Sequence, residues 1–278
     1  MIRIINNLRL FFFLLSWLGA LASIIFFDVN NLIIDIGVCS FGLFFIFTLP
    51  FLKRESFVIV LILFILANIL FQEVPSFEEI FNAGKFTIIF AGLIPTMGLV
   101  KSAANRMSSV QETQLSLSKL PATVTSSGFQ ITGHVFGSVI NTGVFAMLAA
   151  SLPKNSDFKY RKLAAEASIR GMASSAIWSP FFVAFAVGQV YVDSINSWLG
   201  LSLGIFISII FTICSIYFVD TKTNFSKLRL SLLCLAPVGI KLLIIFLIII
   251  GVSLLFKLTA LSTVIIVMPL LVFFQFIS

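Results

Sequence analysis

Long apolar runs separated by short polar clusters dominate this chain. A run near 20 residues is what a helix needs to cross a bilayer core of about 30 Å. The first run is Leu10–Phe27, punctuated by Asp28, Asn30 and Asn31. The second, Leu32–Leu52, stops at Lys53-Arg54-Glu55. The third, Ser56–Phe71, is followed by Glu73, Pro75, Glu78 and Glu79. The fourth, Phe86–Val100, reads as a short span interrupted by Gly92, Pro95 and Gly98, with Lys101, Arg106 and Lys119 after it. Trp198–Val219 forms a later span, and Leu242–Phe256 with Leu258–Ile277 a final pair.

Basic residues in short loops set orientation. Arg3 and Arg9 place the N-terminus in the cytoplasm, Lys53 and Arg54 are inside after two crossings, and Lys101, Arg106 and Lys119 after four. The loops at Asp28 and Glu73–Glu79 then fall outside. Ala20-Leu21-Ala22 imitates a signal-peptidase site, but apolar sequence continues through Ile24–Phe27, so an uncleaved first helix is the reading.

Pro121–Leu152 lies between two basic loops, the second holding Lys154, Lys159, Arg161 and Lys162. If both loops are cytoplasmic, its 32 residues leave and return on one side. Two full crossings would take roughly 40 residues. A re-entrant helical hairpin over 121–152 fits, and a polar stretch holding Thr125, Ser126, Ser127, Gly128, Gln130, Thr132, Gly133 and His134 is expected at its tip. Irregular backbone survives at membrane depth only where protein buries it or it lines a cavity.

A second interruption follows. Arg161–Ala176 has a helical pattern, with Glu166 and Arg170 spaced as an i,i+4 pair. Pro180 removes a backbone donor and disfavours helix at Ser179. The span over 161–192 therefore reads as two half-helices joined at Ser174-Ser175-Ala176-Ile177-Trp178-Ser179-Pro180, ending outside at Asp193 and Asn196. The chain returns inside to Lys222, Lys227 and Arg229.

Composition agrees with the pattern. The chain has 278 residues, of which 59% are hydrophobic and 10% charged. A soluble domain carries about 25% charge and cannot hide this much apolar surface. A soluble enzyme, a disordered chain and a disulfide-stapled domain are excluded. The net charge of +7 belongs to topology, so no nucleic-acid partner is expected. The expected fold is all-α: a polytopic integral membrane protein with a re-entrant hairpin and a broken transmembrane helix, multi-pass in a bacterial inner membrane.

Some residues read as structural. Cys39, Cys214 and Cys234 read as packing residues, Trp178 as an interface anchor, and Lys241 as a snorkelling lysine. Gly204, Gly239 and Gly251 read as sites of close helix packing. Arg9 to Gly19 and Lys241 to Gly251 share a spacing, and the same offset pairs Phe41 with Phe273. This suggests one complete repeat over residues 1–230 and the start of a second over 231–278.

No His-rich metal motif, nucleophile elbow or Walker loop is present, so an enzyme is not expected. Broken membrane helices do suggest transport, because half-helix N-termini attract anions and freed carbonyls coordinate Na⁺. Candidate substrate and ion ligands are Ser126, Ser127, Gly128, Thr132, His134 and Asn141 of the hairpin, with Ser174, Ser175, Ser179 and Pro180 of the interruption. His134 reads either as a satisfied buried histidine or as a ligand or proton relay.

The order of parts, with the connector Tyr160-Arg161-Lys162-Leu163-Ala164-Ala165-Glu166 and the interruption at Ser174–Pro180, resembles the ion-transporter superfamily. That group includes divalent anion/sodium symporters and arsenite-type or sodium/proton-antiporter-type carriers. The resemblance covers roughly residues 86–192. Symporters of the group carry Ser-Asn-Thr signatures at hairpin tips, where this chain has Thr125-Ser126-Ser127-Gly128, and Asn141-Thr142 further on. The resemblance implies two inverted repeats, and this chain ends before a second hairpin; a fragment, a homodimer or pairing with another subunit would complete it. The expected function is secondary transport of a small anion, a carboxylate or inorganic oxyanion, with Na⁺ or H⁺ as coupling ion and no other cofactor. Membrane lipids are the expected surroundings. The alternatives are a membrane-embedded lipid or polysaccharide transferase, for which Arg161, Lys162, Glu166, Arg170 and Asp193 are the charged residues on offer, and a non-transporting membrane subunit.

Overall fold

The computed structural model describes residues 2–26, 31–70, 75–192, 196–219 and 224–277. Asp28, Asn30, Glu73, Asp193 and Lys222, which the topology reading uses, lie outside the described residues. Among the described residues the fold is all helical, and five helices are long and apolar enough to cross a membrane. The chain divides into two compact units, Met1–Pro95 and Thr96–Ser278. The boundary expected near residue 230 falls inside the second unit.

In the first unit, α1 (Ile2–Ile25) packs on α2 (Asn31–Thr48), which ends in a 3-10 turn at Leu49–Phe51. Lipid tails are as apolar as Leu, so close backbone approach rather than hydrophobicity holds membrane helices together. Gly19 supplies it here, since a Cβ would stand 2.9 Å from the Cα of Gly37. α3 (Arg54–Leu70) buries no residue. α4 (Phe77–Ala104) is a correction to the short interrupted span expected over Phe86–Val100. It is one helix of 28 residues with Pro95 inside it and Lys101 in its last turn, and its Phe77–Pro95 portion belongs to the first unit. Lys85 of that portion lies 3.3 Å from Asp35 of α2.

The second unit continues from Thr96. After α5 (Ser108–Ser118) the 121–152 segment forms α6 (Thr125–Ile140) and α7 (Gly143–Ala150). α6 has 16 residues and α7 has 8, or about 24 Å and about 12 Å of helix, so neither spans a bilayer core. Asn141 turns the chain at φ 51° and ψ −136°, a positive-φ conformation outside the left-handed helical region. Leu148 and Leu152 return alongside Phe129 in the lower half of α6. The segment is a helical hairpin, but its turn is Asn141-Thr142. The expected polar tip at Ser126–Gly128 instead forms the helical base of α6, where Leu117 and Leu120 cover Gly128.

α8 (Phe158–Ser175) follows, capped by the Asp157 carboxylate, which accepts from the Tyr160 N–H. Residues 176–182 interrupt the span, and α9 (Val183–Tyr191) resumes it, as the sequence suggests. α6 and α8 pack more extensively than any other pair, and they run parallel. Gly133 faces Ser168 and Gly171, while Gly137 faces Met172 and Ser175. A Cβ at Gly171 would collide with the Gln130 carbonyl oxygen. This register of small residues is the membrane equivalent of a hydrophobic seam.

α10 (Ser197–Val219) runs antiparallel beside the pair, with Gly204 against Ile177 and Trp178. α11 (Phe225–Leu233), α12 (Ala236–Phe256) and α13 (Ala260–Ile277) complete the unit. Gly251 and Gly239 have nothing within 4 Å of an added Cβ, unlike Gly19. Phe41 is buried and Phe273 exposed. Cys234 is buried, but Cys39 and Cys214 are exposed and do not pack inside the fold.

Candidate functional site

Small residues bring the backbones of α6, α8 and α10 close, and that closeness lets their polar side chains meet. The Trp178 indole N–H donates to His134 Nε2 at 3.3 Å. Nε2 is then the acceptor, so the proton sits on Nδ1, which donates to Ser174 Oγ at 2.7 Å. Ser174 Oγ donates in turn to the Gly171 carbonyl at 2.7 Å and accepts from Thr212 Oγ1 at 3.2 Å. Every hydrogen of this chain has one acceptor, which is what a buried network requires. Trp178, read from the sequence as an interface anchor, holds the histidine.

One turn below, Arg170 supplies the charge. Its Nε donates to Gln130 Oε1 at 3.2 Å and its Nη2 to Ser126 Oγ at 3.2 Å. Gln130 Nε2 donates to the Thr212 carbonyl at 3.4 Å. Glu166 does not close the expected ion pair with Arg170; it lies 3.9 Å from Lys162 on the same helix, and both are exposed. A long side chain at position 170 reaches the neighbouring helix because α6 approaches so closely.

The other candidates divide. Ser179 Oγ donates to the Ser138 carbonyl and accepts from the Phe181 N–H, which ties the interruption to α6. Asn141 Nδ2 donates to the Phe181 carbonyl at 3.4 Å, so the hairpin turn and the interruption are neighbours. Ser175 Oγ donates to the Met172 carbonyl within its own helix. Ser127 shares a 2.6 Å hydrogen bond with Ser231 of α11, at the base. Thr132 is fully buried and its hydroxyl has no partner. Ser126, Ser127 and Gly128 thus stand at the opposite end of α6 from Pro180, and no common ligand reaches both groups.

Beside the network opens a cavity of about 490 Å³. His134, Ser138, Trp178 and Pro180 form one wall, and α10, α12 and α13 the others, through Trp198, Phe246 and Met268 among other residues. The Trp198 indole is held by Ser253 Oγ at 2.7 Å, and Ser138 Oγ donates to the Val135 carbonyl. His134 is therefore the polar group of this wall that has an alternative tautomer and a second charge state. The arrangement suits a molecule with an apolar body and one polar end.

Sequence reasoning missed Gln130 as a hub, and it missed Thr212, Trp198 and Ser215, whose hydroxyl donates to Gln130 Oε1 at 3.5 Å. Thr212 and Ser215 sit in a helix that reads as a plain apolar span. Lys241, expected to snorkel, donates to Ser109 Oγ of α5 at 3.3 Å. Comparison with family models, characterised proteins and solved structures found no match.

Proposed function

We propose that the protein is a secondary transporter of a small anion, and that the substrate is a carboxylate with an apolar tail. The observation that supports this reading is the cavity between hairpin, interrupted helix and α10–α13, with His134 on its wall. Pockets pair an apolar lining with a few polar groups that fix orientation. A proton taken up at Nε2 turns His134 from the acceptor of the Trp178 N–H into a cationic donor for the carboxylate, and the indoles of Trp178 and Trp198 flank the tail. An inorganic oxyanion fits less well, because the hydroxyls of Ser174, Ser175 and Ser179 are already committed to carbonyls. H⁺ suits the coupling role better than Na⁺, since the cavity wall holds a titratable ring. The placement of basic residues supports an N-terminus in the cytoplasm, and the membrane is proposed to be a bacterial inner membrane.

The test is flux in proteoliposomes under an imposed pH or Na⁺ gradient. Butyrate or benzoate should accumulate with the pH gradient faster than in protein-free liposomes, which the neutral acids also enter, sulfate and phosphate should not accumulate, and His134→Ala should return uptake to the protein-free rate while the helices remain folded. Absence of uptake of every carboxylate and oxyanion by folded protein would remove the transporter reading.

A further inference from the structure

A second cavity, of about 320 Å³, lies away from His134, between the returning arm of the hairpin and the first half of α8. Its floor is apolar: Phe129, Phe145, Leu148 and Leu152 on one side, Ala164 and Ala165 on the other. Arg161 stands at its edge. The guanidinium donates to Ser156 Oγ at 3.1 Å and to the Lys154 carbonyl at 3.4 Å, both neutral acceptors. Among the described residues no carboxylate lies within ion-pair distance of it. Lys154, Lys159 and Lys162 stand within seven residues of Arg161 and are exposed. The nearby acids are otherwise engaged, Asp157 in capping α8 and Glu166 with Lys162. Phe158 opens the same turn and is 82% exposed, as an aromatic residue at a membrane surface would be.

We infer that this groove binds an anionic phospholipid, one acyl chain lying against Phe145 and Leu148 and the phosphodiester on Arg161. An apolar slot beneath an uncompensated cationic rim matches both halves of such a molecule. Arg binds phosphate oxygens through paired N–H donors, and a guanidinium held by neutral groups keeps its charge available. Basic pockets between membrane helices recognise lipid headgroups by this chemistry. The inference rests on the membrane fold alone and not on transport.

The full chain, purified in detergent, would be offered mixed micelles of phosphatidylglycerol or phosphatidylcholine and examined by native mass spectrometry. Phosphatidylglycerol should stay bound in preference to phosphatidylcholine. Arg161→Gln should lower that preference about fivefold, and Arg161→Lys should restore part of it. Ala165→Trp should displace the lipid by filling the slot, with helicity checked by circular dichroism. Should Ala165→Trp fail to fold, the exposed Arg161→Gln variant decides. Equal retention of the two lipids, or full retention in Arg161→Gln, overturns the inference. So does competition by soluble glycerol 3-phosphate, which would mark a phosphate site without a lipid chain.

Discussion

His134 Nδ1 and Ser174 Oγ stand 2.7 Å apart and join two parallel helices across 40 residues of chain. Both polar ends of the imidazole are engaged, so loss of either partner strands a part-buried group. Ser174→Ala should destabilise the folded protein by about 1–2 kcal/mol. Ser175→Ala removes a bond confined to its own helix and should be close to neutral. Unfolding in detergent, followed by circular dichroism, separates the two. Equal losses would show that the network contributes nothing beyond helix packing.

The α6–α8 contact makes a sharper demand. A methyl group at Gly171 meets the Gln130 carbonyl and the His134 N–H, both of them backbone groups that cannot step aside. Gly171→Ala should cost about 1–3 kcal/mol or more through forced separation of the helices. Gly98→Ala meets nothing within 4 Å and should be neutral or stabilising. Comparison of thermal midpoints checks the pair.

In the first unit, Asp35 and Lys85 lie 3.3 Å apart on helices that are otherwise mostly apolar. Charges inside membrane spans persist chiefly as pairs. Asp35→Asn and Lys85→Met should each destabilise, and the double substitution should cost less than their sum. A coupling of about 1 kcal/mol is expected from a double-mutant cycle, since both side chains are about a third exposed. Strict additivity would show that the contact has no energetic weight.

Sidedness can be read chemically. In a background without Cys39, Cys214 and Cys234, single cysteines at Asn155 and Asn196 are exposed and should label from opposite faces of the membrane. Cysteines at Ser127 and Ser175 replace side chains that are 1% and 0% exposed and should label slowly from either side. Labelling of Asn155 and Asn196 from one side would require a different path for the chain between them.

Much of this architecture was legible in the sequence, because hydropathy and charge act locally. Span length and the basic loops located the hairpin, and Pro180 located the interruption. Two features escaped for a physical reason. The hairpin turn was placed among hydroxyls, but a membrane helix carries Ser and Thr easily when their hydroxyls bond a carbonyl one turn back, as Ser127 does to Val124 at 3.0 Å. The turn went instead to Asn141, a single residue able to hold a positive φ. Gly92, Pro95 and Gly98 suggested a broken span, yet α4 runs through all three without interruption. The partners of Arg170 escaped because Ser126 and Gln130 lie 44 and 40 residues away and only tertiary register unites them. The nearer Glu166 had the right spacing but points its charge at Lys162.

The glycine seam also constrains descent. A side chain larger than hydrogen at Gly133, Gly137 or Gly171 has to be answered on the opposite helix, at Ser168, Ser175 or the backbone of Gln130. Diverging lineages that keep this parallel contact will therefore exchange these positions in concert. His134 and Ser174, carried on the same two backbones, will be inherited together, as one unit of variation.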